Sequence, residues 1–314
     1  MSALFPVIVH DVMPEGADCV RLRLAVAPGQ GALPRFAPGA HVDVLTPAGL
    51  VRQYSLCNDA DDPGFYELCI RREAASRGGS ASLCRSVEKG MELHISPPRN
   101  AFALPSAQRH ILIAGGIGIT PLLPMMARLQ HQGADWTLYY YTRKPDQAPF
   151  RDRLLTAPYG HHVHMATSLR QGYPAALACP EADTAIMLCG PDGFMQAVSS
   201  HAIATGWEAA QIHTEHFRPA EMAPADGEQA FEVVLARSGR LITVPPDQSI
   251  AGALMAAGIA VSLSCEQGMC GACVVPLLAG EGTHRDMVLT EAEQASSIAL
   301  CCSRARTPSI TVDL

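Results

Sequence analysis

Residues 110–132 read HILIAGGIGITPLLPMMARLQHQ, and three textures follow one another within that stretch. HILIAGG is an almost unbroken apolar run, the texture of a parallel strand covered on both faces. Gly115-Gly116-Ile117-Gly118-Ile119-Thr120-Pro121 then forms a loop, and from Leu122 onward apolar residues recur at helical spacing. Glycines at 115, 116 and 118 let the backbone approach a pyrophosphate, and the helix start beyond Thr120 offers free N–H groups and a positive dipole end. Pro121 suits the first helical turn. The loop departs from the G-x-G-x-x-G fingerprint, because Pro121 stands where the third glycine would be. Nor does an acid clearly end the next strand, WTLYYYT, where one would hold a ribose. Tyr141-Thr142-Arg143 ends that strand instead. Arg143 and Lys144 are able to accept a 2′-phosphate, so NADH and NADPH both stay open here.

Outward from this stretch the chain changes character twice. Toward the C-terminus, FRDRLLTAP, HHVHMATS, DTAIMLCG and GFMQAVSSHAIATG continue the alternation of helix and strand. That predicts an α/β parallel-sheet domain with right-handed crossovers over residues 107–218. Toward the N-terminus, VRLRLAVA, HVDVLTPAG, FYELCIRR and MELHISPP are short strands split by turns, with helical periodicity nearly absent. They predict an antiparallel β-barrel or sandwich over residues 1–106. A polar linker, PAEMAPADG at 219–227, precedes a third domain at 228–314. There FEVVLARS and RLITVPPD form a hairpin, SIAGALMAAG a helix, and SITVDL a closing strand.

The 314 residues are 48% hydrophobic and 17% charged, enough apolar surface for two or three packed domains. A formal net charge of −7 without a basic run argues against nucleic-acid binding. No apolar stretch is long enough to span a bilayer, and MSALFPVIVHDVMPEG lacks the features of a leader, so the cytoplasm is the expected compartment.

Of the 11 cysteines, Cys265, Cys270, Cys273, Cys301 and Cys302 crowd into the last fifty residues, which in such a chain points to metal rather than disulfides. Cys265-Glu-Gln-Gly-Met-Cys270-Gly-Ala-Cys273 has C-x4-C-x2-C spacing, the plant-type [2Fe–2S] pattern, in which one loop supplies three thiolates and a distant segment the fourth. Gly268 and Gly271 suit a loop that must curl tightly. A zinc site usually offers two C-x2-C knuckles, and only one is present. On a strand, Cys301 and Cys302 would point to opposite faces, so only one of them would reach the cluster.

Further motifs carry a family resemblance. Arg52-Gln53-Tyr54-Ser55-Leu56 resembles the R-x-Y-S-L signature of the ferredoxin–NADP reductase superfamily. A guanidinium there pairs with a flavin phosphate, the aromatic lies against the flavin, and the serine hydrogen-bonds near N5. Arg77-Gly78-Gly79-Ser80 supplies N–H groups and a hydroxyl suited to a phosphate nest. GGIGITP matches the superfamily's G-x-G-x-T-P. Cys189-Gly190-Pro191 resembles its C-G-P element beside the nicotinamide. His213-Thr214-Glu215-His216-Phe217 resembles the motif that places an aromatic, here Phe217, over the flavin.

Flavin barrel, nicotinamide domain and C-terminal ferredoxin, in that order, resemble the phthalate dioxygenase reductase family, which includes vanillate demethylase reductases and the carnitine monooxygenase reductase. PPRNAFAL at 97–104 and GEGTHRD at 280–286 belong to the resemblance. It implies FMN rather than FAD, NADH as the reductant, and an α+β plant-type ferredoxin (β-grasp) domain. The L-C-x-S-R-A ending selects Cys301 as the fourth ligand beside Cys265, Cys270 and Cys273. Lys144, where relatives often have a small or acidic residue, is a departure that bears on the coenzyme. The implied partner is a terminal Rieske-type oxygenase served by a monomeric reductase. Rival readings are a reductase for another acceptor, such as a soluble monooxygenase or a cytochrome, and a non-catalytic module stapled by zinc.

Overall fold

The computed structural model describes residues 4–62, 64–72, 78–156, 158–217, 229–263, 268, 271–286 and 288–314. They form two compact units divided between Phe217 and Arg218. The expected linker at 219–227 lies outside the described residues.

The first unit begins with β1 (Phe5–Glu15), β2 (Cys19–Val26), β3 (His41–Leu45), β4 (Val51–Ser55), β5 (Tyr66–Arg71), α1 (Gly79–Ser86) and β6 (Glu92–Ile95). The strands form one antiparallel sheet in the order β4-β3-β6-β1-β2-β5. A bridge between Leu56 and Leu68 joins its two edges, closing a barrel. Alternation puts Val7, Val9, Leu22, Leu24, Val42 and Val44 inside, with side chains on the opposite face in contact with water or other elements.

The same unit continues through β7 (Arg109–Gly115), α2 (Leu122–Gln132), β8 (Asp135–Tyr141), α3 (Arg151–Leu155), β9 (Val163–Ala166), β10 (Thr184–Cys189), α4 (Asp192–Thr205) and β11 (Ile212–Glu215). All five strands run parallel in the order β11-β10-β7-β8-β9. The chain winds from β7 to β9 on one side and then returns to place β10 on the other. The strand order therefore reverses between β7 and β10, and their C-terminal ends bound the crevice where open α/β sheets bind ligands. Barrel and sheet are tied by Glu15, which accepts a hydrogen bond from Phe150 N at 2.8 Å, and by the Arg153–Glu67 ion pair at 3.5 Å.

The second unit holds β12 (Phe231–Leu235), β13 (Leu241–Val244), α5 (Ile250–Ala256), β14 (Val274–Ala279), β15 (Gly282–Thr283), α6 (Glu291–Gln294), β16 (Ser297–Ala299), β17 (Arg304–Ala305) and β18 (Ser309–Val312). Its mixed sheet runs β13-β12-β18-β14-β16, with β12 and β18 parallel. Ser249 caps α5 by accepting from Gly252 N at 3.0 Å, and the helix buries Ile250, Ala251, Ala253 and Leu254 against the sheet. This is the expected β-grasp arrangement. No helix of the described residues is long and apolar enough to cross a membrane.

One expectation needs correction. Cys301 and Cys302 do not lie on a strand. β16 ends at Ala299, and the pair sits in the turn that follows, where Ala299 O accepts from Cys302 N at 3.4 Å and Ser303 N at 3.0 Å. The rule of alternating faces therefore does not apply to them.

Candidate functional site

In the barrel, β4 pairs with β3 so that Ser55 faces His41 and Tyr54 faces Val42. Arg52 and Tyr54 share one face of the strand, Gln53 and Ser55 the other. The stem of Arg52 runs along the first residue of α1: a Cβ on Gly79 would lie 3.0 Å from both Cγ and Nε of Arg52. Gly79 thus permits a contact that joins the RQYSL and RGGS segments. Gly78, just before the helix, has φ +105, and no described side chain caps the helix start. Ser80 stands in the first turn. Arg52 makes no ion pair among the described residues; it donates only to Val51 O at 2.7 Å. A guanidinium with no carboxylate partner among the described residues, lying along the first residue of a helix, fits a phosphate monoester. Arg77 lies outside the described residues.

Tyr54 packs on the barrel core, and burial, with the Cys84 thiol near it, pushes its hydroxyl up, so the phenol stays neutral. Leu56 is fully buried. His41 contacts Gln53 Nε2 at 3.2 Å, and burial followed by the Arg99 guanidinium pulls its imidazole down to about 4. Arg99 in turn pairs with Asp43 at 2.7 Å, which fixes the PPRN segment against β3.

At the switch point the two loops touch backbone to backbone. A Cβ on Gly118 would fall 2.2 Å from Cys189 O, one on Gly190 3.0 Å from Gly115 Cα, and one on Gly115 3.0 Å from Pro191 Cδ. Gly115, Gly118, Cys189, Gly190 and Pro191 therefore assemble as one structure, and the glycines are required by mutual contact as well as by any ligand. Gly116, at φ +56, turns the chain into a short 3-10 segment before α2. Thr120 is buried and donates to Ile117 O at 3.0 Å, closing the loop on itself. Pro121 stands at the N-cap of α2 rather than inside its first turn. Arg143 and Lys144 are exposed just past β8.

Two residues here were missed by the sequence reading. Glu215 pairs in register with Cys189 across β10 and β11. It is buried, its Oε2 has no hydrogen-bond partner among the described residues, and burial raises its carboxyl to about 8. Cys189 has no exposed surface, and burial, then Glu215, drives its thiol well up. Both groups are neutral near pH 7. An orphaned acid at the C-terminal edge of this sheet fits a polar ligand group there. Phe194 is the second: its ring lies 2.8 Å from the positions a Cβ would take on Gly115 and Gly190. Its place just after CGP was the only signal in the sequence. Phe217, 41% exposed, ends the described part of the unit, and His216 beside it contacts Asp192 of α4 at 2.8 Å.

In the second unit Cys273 and Cys301 are both buried in the same core, with the Cys301 thiol beside that of Cys273. Gly268 and Gly271 have φ +72 and +74, the left-handed backbone a tight ligand loop needs. Cys265 and Cys270 lie outside the described residues. A buried, all-thiol donor set beside such a loop fits iron–sulfur ligation.

A closed antiparallel barrel, a parallel sheet with its switch point and a thiol-bearing β-grasp unit define a flavin- and nucleotide-dependent reductase with its own ferredoxin domain. Residues 233–306 match the 2Fe-2S iron-sulfur cluster binding domain family. Across the whole chain, a vanillate O-demethylase oxidoreductase of Pseudomonas putida is 42% identical, covering 96% of this chain and 96% of its own. The carnitine monooxygenase reductase subunit of Escherichia coli is 38% identical over 99% and 98%. The solved structure of phthalate dioxygenase reductase is similar with a TM-score of 0.74 and 33% identity, covering 99% of this chain and 98% of that one. The chain belongs to the phthalate dioxygenase reductase family. It is an oxidoreductase, the reductase component of an oxygenase system.

Proposed function

We propose that this chain takes hydride from NADH and delivers single electrons to a terminal Rieske-type oxygenase, with FMN and a [2Fe–2S] cluster as its own carriers. The observation that carries the reading is the switch point between β7 and β10, where glycines let two loops meet backbone to backbone at the C-terminal edge of the parallel sheet. When bound, FMN accepts an electron pair and gives it up one electron at a time, which a one-electron cluster requires.

Residues 1–106 hold the flavin, 107–218 the coenzyme and 228–314 the cluster. Arg52 and the N–H groups of Gly78, Gly79 and Ser80, with Arg77, bind the FMN phosphate. Tyr54, Ser55 and Leu56 line the flavin, and Phe217 covers it. The Gly115, Gly116 and Gly118 loop, with Thr120 and Pro121, holds the pyrophosphate of NADH. Arg143 meets its ribose. Cys189, Gly190 and Pro191 border the nicotinamide, and neutral Glu215 offers its carboxamide a hydrogen-bond donor. Cys265, Cys270, Cys273 and Cys301 ligate the iron. A Rieske centre lies at roughly −150 to +300 mV against about −400 mV for a plant-type cluster, so transfer to such a partner is downhill. The chain works as a monomer in the cytoplasm, where NADH is present and thiols stay reduced.

Anaerobic titration of the purified protein with NADH tests this. Flavin and iron–sulfur absorption are expected to bleach together and to consume more than one equivalent, since the two carriers take three electrons per chain. A flavin that bleaches beside a permanently oxidised cluster would break the proposed relay. The phosphate assignment has its own test. Arg52→Ala removes a charge-assisted contact worth about 1.5–3 kcal/mol, so FMN affinity is expected to fall roughly 10- to 150-fold. Equal FMN retention by Arg52→Ala and wild type on dialysis would refute that role.

A further inference from the structure

We propose that Cys302 is a second thiol of the cluster site and becomes the fourth iron ligand when Cys301 is removed. The inference rests on the [2Fe–2S] reading above and goes beyond it, because five clustered cysteines are present where four ligands are needed.

The turn after β16 is what makes the substitution of one thiol for the other feasible. Ala299 O accepts from the amides of both Cys302 and Ser303, so residues 299–303 curl like part of a helix and successive side chains diverge far less than on a strand. The Cys301 thiol lies beside those of both Cys273 and Cys302. Cys302 Sγ also reaches the ligand loop itself. A Cβ on Gly268, between Cys265 and Cys270, would lie only 2.6 Å from that sulfur. Gly268 thus leaves a space that Cys302 fills, and its φ of +72 holds the loop there.

Among the described residues nothing else holds the sulfur firmly. Its contacts to Ala299 O at 4.0 Å and Ser303 Oγ at 3.9 Å are at the outer limit for a thiol. The turn around it is firmly fixed, however. Ser303 donates to Asp286 Oδ1 at 3.1 Å, and Asp286 Oδ2 accepts from Leu289 N at 2.9 Å. The result is a loosely committed thiol on a rigid support, in contact with a cluster loop and with a ligand. With Cys301 on iron, Cys302 stands beside the cluster as a thiol that makes no bond to iron. Without Cys301, the Cys302 S–H bond breaks, its proton goes to solvent, and an iron–sulfur bond forms in place of the lost one.

The test uses the full chain, purified anaerobically, as wild type, Cys301→Ala, Cys302→Ala and the double variant. Iron and acid-labile sulfide per chain are measured with the EPR spectrum of the dithionite-reduced protein. Cys301→Ala is expected to keep at least half the wild-type iron with shifted g-values. Cys302→Ala is expected to keep all of it, and the double variant to lose at least tenfold. A Cys301→Ala protein as empty as the double variant would overturn the proposal. So would a Cys302→Ala protein that is empty while Cys301→Ala is full. Should alanine at 301 prevent folding, Cys301→Ser is compared with Cys301→Ser/Cys302→Ala. Different EPR spectra support a sulfur ligand from Cys302, and identical spectra refute it. A wild-type protein without a [2Fe–2S] signal would overturn the functional reading itself, an outcome distinct from the others.

Discussion

Glu215→Gln is expected to make the first unit more stable than wild type above pH 8 and to flatten its stability between pH 5 and 9. Burial raises the Glu215 carboxyl from 4.5 to about 8. Below pH 4.5 the group is protonated folded or unfolded, and it has no effect on the balance. Between 4.5 and 8 the unfolded chain releases a proton that the folded chain keeps, so stability falls as pH rises. Above 8 the full penalty of a buried charge is present, of the order of 5 kcal/mol at about 1.4 kcal/mol per unit. Glutamine keeps the shape and carries no charge at any of these values. Both tryptophans of the chain, Trp136 and Trp207, lie in this unit, so their fluorescence follows its unfolding alone. Urea midpoints at pH 5, 7 and 9 should fall for wild type and stay level for the variant. Parallel curves would show that Glu215 is not the titrating group.

The case of Glu215 also shows where sequence reading runs out. It stands in an HTEHF segment that drew attention for its phenylalanine, and nothing local marks the acid as buried. Its environment comes from the parallel pairing of Ile212–Glu215 with Ile186–Cys189, a long-range contact that periodicity does not encode. The strands around it were legible because HILIAGG, WTLYYYT and DTAIMLCG are apolar runs whose burial follows from composition. In the barrel, the strand Phe5–Glu15 went unread: a register shift between Val9 and Asp11 breaks its alternation. The helix Gly79–Ser86 was missed too, since it begins with glycine and serine and buries only Gly79, Ala81 and Leu83. The cysteine spacing was decisive for the metal, because ligand geometry imposes it directly. The cysteine pair was misplaced on a strand for the opposite reason. Its turn depends on one carbonyl, Ala299 O, accepting two amides, which residue identity does not announce.

Gly118→Ala is expected to be more damaging than any other single-methyl change in the nucleotide loop. The added carbon would sit 2.2 Å from Cys189 O, 2.5 Å from Cys189 C and 2.7 Å from Gly190 N, all backbone atoms of the opposing loop. None of these can rotate away, and Cys189 is held in the sheet by pairing with both Ala114 and Glu215. Relief therefore requires β7 and β10 to part at their C-terminal ends. Overpacking of a core usually costs 1–3 kcal/mol, and a clash with fixed backbone belongs at the top of that range, about 3 kcal/mol or more. For a unit of this size that corresponds to a melting temperature lower by roughly 6–12 °C. The control is Gly193→Ala in the first turn of α4, where a Cβ meets nothing within 4 Å and φ is not positive. Alanine's better helix propensity, up to about 1 kcal/mol over glycine, should leave that variant unchanged or slightly stabilised. The same methyl group is thus expected to act with opposite sign at two glycines on facing sides of one crevice. Reduction of the flavin by NADH should slow with the first change, because the parted loops no longer present their amides together. If both variants melt within a degree or two of wild type, the contact between the two loops is looser than the distances require, and the glycines at the switch point serve the ligand alone.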